Sequence, residues 1–95
     1  MTLAKFSTGR LVATPGVLQA LEDKGLGQDI LAGFLRRHLA GDWGDLDDHD
    51  RQENDFSVGN RLRILSAYTI PEGPKVWVIT EADRSATTFL LPEEY

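Results

Sequence analysis

Three short stretches of the chain gather side chains whose types and spacing can do chemistry. The first is His38-Leu39-Ala40-Gly41-Asp42-Trp43-Gly44-Asp45. An imidazole and a nearby carboxylate, His38 and Asp42, can act as an acid/base pair or a hydrogen-bonded couple. Glycines on either side of Asp42-Trp43 permit tight turns that place the indole, which makes Trp43 a candidate anchor in a binding surface. The structural alternative has Trp43 closing the core under a helix end, His38 capping carbonyls and Asp42 capping the next turn. The second stretch, Asp45, Asp47, Asp48, His49 and Asp50, offers carboxylate and imidazole ligands. Its spacing lacks the alternating oxygens, glycine and distal glutamate of a calcium loop, and no second histidine stands four residues from His49. No metal is expected there. A solvated acidic face is the stronger reading. The third is Thr80-Glu81-Ala82-Asp83-Arg84-Ser85, where a strand gives way to a loop. Glu81 and Asp83 can supply a general acid and base, and Arg84 can hold a phosphate or carboxylate bidentately. The alternative is a turn held by Asp83 and Ser85, with a surface pair of Arg84 and Glu81 contributing ~0–1 kcal/mol.

The charge is unevenly spread. The net charge of the 95 residues is −5. Between Gly41 and Asp55 seven carboxylates stand against Arg51 alone, a net −6, while the other eight acids and nine bases net +1. Such a local field repels nucleic acid and attracts basic surfaces. Arg61, Arg63 and Lys75 are too few, and too poor in interleaved aromatics, for a nucleic-acid footprint. Cysteine is absent, which excludes disulfides and thiolate metal sites. No run approaches the ~20 apolar residues of a membrane span. Residues 1–10 lack the charged start and apolar run of a secretion signal, so a cytoplasmic location is expected.

The elements that must position these groups follow from hydrophobic period. Phe6 to Ala13 predicts a short strand with Gly9 at a bend or bulge. Thr14-Pro15 reads as an N-cap and first helical position, opening a helix over about 15–24 that Gly25 ends. Ile30, Leu31, Phe34, Leu35, His38 and Leu39 recur on one face of a second helix over about 29–40. The acidic segment opens a third, surface helix with Asp45 as its N-cap and a thin apolar face of Leu46 and Phe56. From Arg61 the period becomes two, predicting strands over about 61–70, 75–81 and 86–91 joined by short turns. Phe34, Leu35, Ile64 and Val78 are expected in the core. A chain of this length and 41% hydrophobic content is expected to form one α+β domain over residues 1–95. A short N-terminal strand and two to three helices would pack on a C-terminal three- to four-stranded antiparallel meander.

Several strings resemble a family of small bacterial proteins borne on plasmids and other mobile elements. They are Gly9-Arg10-Leu11-Val12-Ala13-Thr14-Pro15-Gly16, Gly41-Asp42-Trp43-Gly44-Asp45, Arg63-Ile64-Leu65-Ser66-Ala67-Tyr68, Trp77 to Ser85 and Leu90-Leu91-Pro92-Glu93-Glu94-Tyr95. Some members carry labels linking them to restriction–modification subunits. A methyltransferase needs a far longer chain and a cofactor motif that this sequence lacks. The resemblance implies a mobile-element setting and no defined activity.

Three functions are then weighed. The first is a binding protein that blocks a host defence complex by docking Asp42, Trp43, Asp45, Asp47, Asp48 and Asp50 on a basic protein surface. The second is a small hydrolase or nuclease-like enzyme using His38 or His49 with Asp42, Glu81, Asp83 and Arg84. The third is a structural partner, either the neutralising half of a toxin pair or a homodimer. No cofactor, metal, membrane or direct nucleic-acid partner is expected. An enzyme requires its scattered polar groups to converge on one pocket, whereas a binder requires only a continuous exposed face.

Overall fold

Thr14 accepts the amide of Val17 through its hydroxyl and Pro15 occupies the first helical position, so helix α1 (Pro15–Asp23) starts where the sequence places it. The computed structural model describes residues 4–95, in which strand β1 (Arg10–Ala13) precedes α1 and helix α2 (Asp29–Leu39) follows it. Helix α3 (Asp48–Asn60) leads into strands β2 (Ile64–Thr69), β3 (Lys75–Thr80) and β4 (Ala86–Leu90), and a single 3₁₀ turn, Pro92–Glu94, ends the chain. The fold is α+β, with the three-stranded meander at the C-terminal end.

The sheet order is β1-β4-β3-β2. Strand β1 adds the fourth strand, but parallel to β4, pairing Leu11 with Thr87 and Ala13 with Phe89. The sheet is therefore mixed rather than wholly antiparallel. A parallel neighbour needs a long crossover, and everything between Thr14 and Ser85 supplies it. One sheet face carries Ile64, Ser66 and Tyr68 from β2, Val76, Val78 and Thr80 from β3, and Thr87 and Phe89 from β4, with Ile70 buried just past the end of β2. Val17, Ala20 and Leu21 of α1 and Leu31 and Phe34 of α2 close over its apolar part, and Phe34 stacks on Tyr68 at 5.0 Å. Phe34, Ile64 and Val78 are buried as expected, and Leu35 is half-buried.

Two sequence expectations are corrected. The cap of α3 is Asp47, whose carboxylate accepts the amide of Asp50 at 2.8 Å. Asp45 instead accepts the Thr69 hydroxyl and donates its own amide to the Ala67 carbonyl. The strand predicted to begin at Arg61 begins at Ile64, because Arg61 is the left-handed residue that ends α3, at φ 53°, and Leu62 is exposed.

Strand β2 is an edge strand, and the acidic segment seals it. Ala67 donates to the Trp43 carbonyl and accepts from the Asp45 amide, a parallel bridge through Gly44. One turn along α3, the Asn54 side chain accepts the Leu65 amide and donates to the Leu65 carbonyl, as a neighbouring strand would. Unpaired edge groups invite association with other chains, and here those of Leu65 and Ala67 are occupied. Gly44 sits at φ 77°, and a Cβ there would lie 1.9 Å from the Ala67 carbonyl oxygen. Gly44→Ala is therefore expected to cost about 2 kcal/mol in urea unfolding, with faster amide exchange at Ala67 and Asp45. An unchanged midpoint would show that the bridge does not hold the edge.

Candidate functional site

The polar side chains singled out from the sequence go to separate places. His38 is wholly buried on α2, with Nδ1 2.5 Å from the Ser66 hydroxyl and Nε2 2.9 Å from the Thr80 hydroxyl. Thr80 and Thr87 hydroxyls are 2.7 Å apart, and Thr87 donates to the Thr8 carbonyl at 2.9 Å. That last bond fixes the direction of the rest. Thr87 has spent its proton, so Thr80 must donate to Thr87. His38 Nε2–H must then donate to Thr80. With the ring kept neutral by burial, Nδ1 carries the lone pair and accepts from Ser66, so the network holds His38 in one tautomer. Burial, followed by the nearby Arg84 charge, lowers its pKa from 6.5 to about 4.

Phe6 covers this network, edge-on to His38 at 5.1 Å and stacked with Trp43 at 6.3 Å. The backbone around it is tied down by the Lys5 amide to the Leu39 carbonyl. Gly9, at φ 64°, lets the chain pass so close to the next turn that a Cβ would fall 2.3 Å from the Ser85 carbonyl. A Ser–His contact this closed, with no carboxylate on the imidazole, has the satisfied geometry of a buried core network rather than of an activated nucleophile. The sequence had one signal for it: Ser66, Thr80 and Thr87 are polar residues on otherwise apolar strand faces.

Asp42 does not reach His38. It forms a two-pronged pair with Arg37, Nε to Oδ2 at 2.6 Å and Nη2 to Oδ1 at 3.3 Å. The Arg37 hydrogen bond holds the Asp42 carboxyl below the usual carboxylate range. Glu81 pairs with Arg63 at 3.1 Å on the other sheet face, where Arg63 also donates to the Tyr95 hydroxyl. Asp83 accepts the Ser85 amide, holding the β3–β4 turn, and its carboxyl is lowered by that residue's hydrogen bonds. Arg84 points inward. It donates to the carbonyls of Ser57, Leu62, Glu81 and Ala82 and is only 8% exposed. His38, Asp42, Glu81, Asp83 and Arg84 therefore share no pocket within hydrogen-bond reach. Trp43, read as a surface anchor, is 4% exposed, and its indole N–H donates to Asp55 at 3.0 Å. It packs under the end of α2 for the reason any large aromatic at a helix exit does: its area is worth more buried.

What stays at the surface is the outer side of α3. The ion pairs among the described residues are Arg37–Asp42 and Arg63–Glu81, and His49 lies 3.6 Å from Glu53. Asp47 and Asp55 spend their carboxylates on N–H groups and Asp45 on a hydroxyl, so their charges are not cancelled. The Arg51 guanidinium turns back onto the carbonyls of Leu46 and Gly44. Asp48, Asp50 and Glu53 face solvent, and Phe56 on the same helix is 58% exposed. His49, Gln52, Glu53 and Phe56 line a shallow depression there. Phe56 is the residue the sequence reading undervalued. Its signal was an aromatic on a helix with almost no apolar face.

Among the described residues no cluster of His, Asp and Glu side chains is arranged to hold a metal ion, and no helix is long and apolar enough to cross a membrane. Comparisons with models of protein families, with curated proteins and with solved structures find no match to this chain.

Proposed function

We propose that the protein is a non-enzymatic binding module whose α3 face docks on a basic protein surface. The observation that carries this is the exposed Phe56 beside Glu53, on a helix whose Asp48 and Asp50 also face solvent. An isolated acidic face is ordinary solvation, but a large half-exposed aromatic on the same helix loses apolar burial unless something covers it. Aromatic side chains ringed by polar groups are the usual anchors of protein interfaces. The ring face also suits a lysine or arginine of the partner. The uncancelled charge would speed association and reject anionic competitors. Relative to the residues expected from sequence, Asp48 and Asp50 stay in the proposed interface and Glu53 and Phe56 join it. Asp47 caps α3 and Trp43 bonds its Asp55, while Asp42 and Asp45 are engaged with Arg37 and Thr69. A partner with a basic surface that otherwise handles nucleic acid, in a host defence complex, fits this charge and the mobile-element resemblance.

The test uses the immobilised protein as bait in a bacterial lysate at low salt, with three baits compared. Wild type is expected to retain a basic protein that duplex DNA displaces and that salt releases, since exposed charges are screened beyond a Debye length of ~8 Å at physiological ionic strength. Asp48→Asn/Asp50→Asn/Glu53→Gln should slow its capture, and Phe56→Ser should speed its release by about tenfold or more. Asp47 is left intact because it caps the helix. Equal retention by all three baits would remove α3 from the interface.

A further inference from the structure

Among the described residues the opposite edge of the sheet is open, and its chemistry is self-complementary. The amides of Arg10 and Thr14 donate to the carbonyls of Ser85, just before β4, and Phe89 on β4. Backbone direction alternates along a strand, so Arg10, Val12 and Thr14 bond toward β4, and the N–H and C=O groups of Leu11 and Ala13 point away from it. The edge carries none of the usual guards within its four residues: no proline, no lysine and no inward charge. It is apolar and uncovered, with Leu11 52% and Val12 38% exposed. Beside it lies a groove of about 470 Å³ lined by Leu11, Leu18, Leu31, Ala32, Leu35 and Phe89 among others. A strand added at this edge would send alternate side chains into that groove.

We propose that the occupant is a second copy of this chain, with β1 pairing antiparallel to β1 about a two-fold axis through Val12. Only this register satisfies all the outward groups. Leu11 of each copy then faces Ala13 of the other as hydrogen-bonded pairs, giving four bonds, with Val12 opposite Val12 between them. Centring on Leu11 or on Ala13 would leave half of them unpaired. The axis is perpendicular to the sheet, so both copies keep their helices on the same side, and each Leu11 enters the shared groove. The same register sets Arg10 of one copy opposite Thr14 of the other. The Thr14 hydroxyl holds the Glu94 carboxylate at 2.6 Å, and that carboxylate also accepts the Gly16 amide at 3.2 Å. Each Arg10 therefore meets a positioned carboxylate across the axis, twice per dimer. The two four-stranded sheets join into one of eight strands.

A four-residue strand and one groove bury less than the ~1,200 Å² of a permanent interface, so the dimer is reversible and concentration-dependent. It leaves α3 free, because α3 lies along the β2 edge at the far side of each sheet. The dimer thus presents two acidic faces outward, and its existence does not depend on what α3 binds.

The test is the mass of the full chain by sedimentation equilibrium over a wide concentration range, with amide exchange read at Leu11 and Ala13. Twice the 10.6 kDa chain mass is expected at the highest concentrations, with those two amides gaining protection as the dimer fills. Leu11→Lys and, separately, Arg10→Glu should weaken association by about tenfold or more without lowering the melting temperature. High salt should weaken association of the wild type more than that of Arg10→Glu, which lacks the ion pair that salt screens. A monomer at every concentration would overturn the proposal. So would a dimer indifferent to both substitutions, which would place the contact on another surface, and so would an edge that gains protection only with an extended peptide from another protein.

Discussion

Arg84→Met is expected to cost about 3–5 kcal/mol, a large part of the ~5–15 kcal/mol that holds a small domain together. The guanidinium ties together the end of α3, the connection into β2 and the turn from β3 to β4, through four carbonyls 2.7 to 3.3 Å away. Its charge lies beyond the last turn of α3, where the helix dipole favours a cation. No carboxylate is part of the cage, and burial, with the neighbouring Arg61, lowers the Arg84 pKa. Methionine keeps the aliphatic packing under Phe6 and removes every donor. Lysine keeps a charge but cannot fork toward Ser57 on one side and Leu62 on the other, so Arg84→Lys should recover only part of the loss. Urea unfolding of the two variants measures both. A loss below about 1 kcal/mol for methionine would mean that water replaces the donors without strain.

The second large effect is on acid stability. His38 has a folded pKa of about 4 against an ordinary 6.5, the main cause being burial. The unfolded chain therefore binds a proton between these values that the folded chain refuses. Stability is fully present above pH 6.5 and falls as the pH drops from 6.5 to 4, then levels off as far as this group is concerned. The shift corresponds to about 3 kcal/mol. Around His38 stand Ser66 and Thr80 from the sheet, Phe6 and Trp43 as its cover, and Arg84, whose charge adds to the repulsion. Asp42, Asp83 and Glu94 also have lowered pKa values, from hydrogen bonds at Arg37, Ser85 and Thr14 respectively. They lose their contribution at lower pH, as they protonate. Unfolding free energy measured against pH for wild type and His38→Gln separates the two. The variant should be less stable at neutral pH yet nearly flat from 6.5 to 5. An equal slope in both proteins would show that His38 is not the group refusing the proton.

Where a polar residue ends up decides its meaning here. From the sequence, His38 reads either as a couple with Asp42 or as a cap on helix carbonyls, and neither reading pairs it with Ser66 and Thr80. The two histidine bonds join residues 28 and 42 apart along the chain. Nothing local encodes such a pairing. Asp42 is the contrast, since its partner Arg37 is five residues away, while the Trp43 indole bonds Asp55, twelve residues on and on α3.

The sequence by itself determined what depends on near neighbours. The Thr14-Pro15 start of α1, the apolar face of α2, the alternation of β2, β3 and β4 and the concentration of charge between Gly41 and Asp55 all rest on spacings of one to four residues. Helix caps, helical period and pleat are local physics, so they are written locally. Tertiary structure alone decided that β1 lies parallel to β4, that the acidic loop seals the β2 edge, that Arg84 turns inward and that Phe56 is left outside. Each of those outcomes is a competition between water and a partner brought from far along the chain. The winner is set by which surfaces the packed core leaves uncovered.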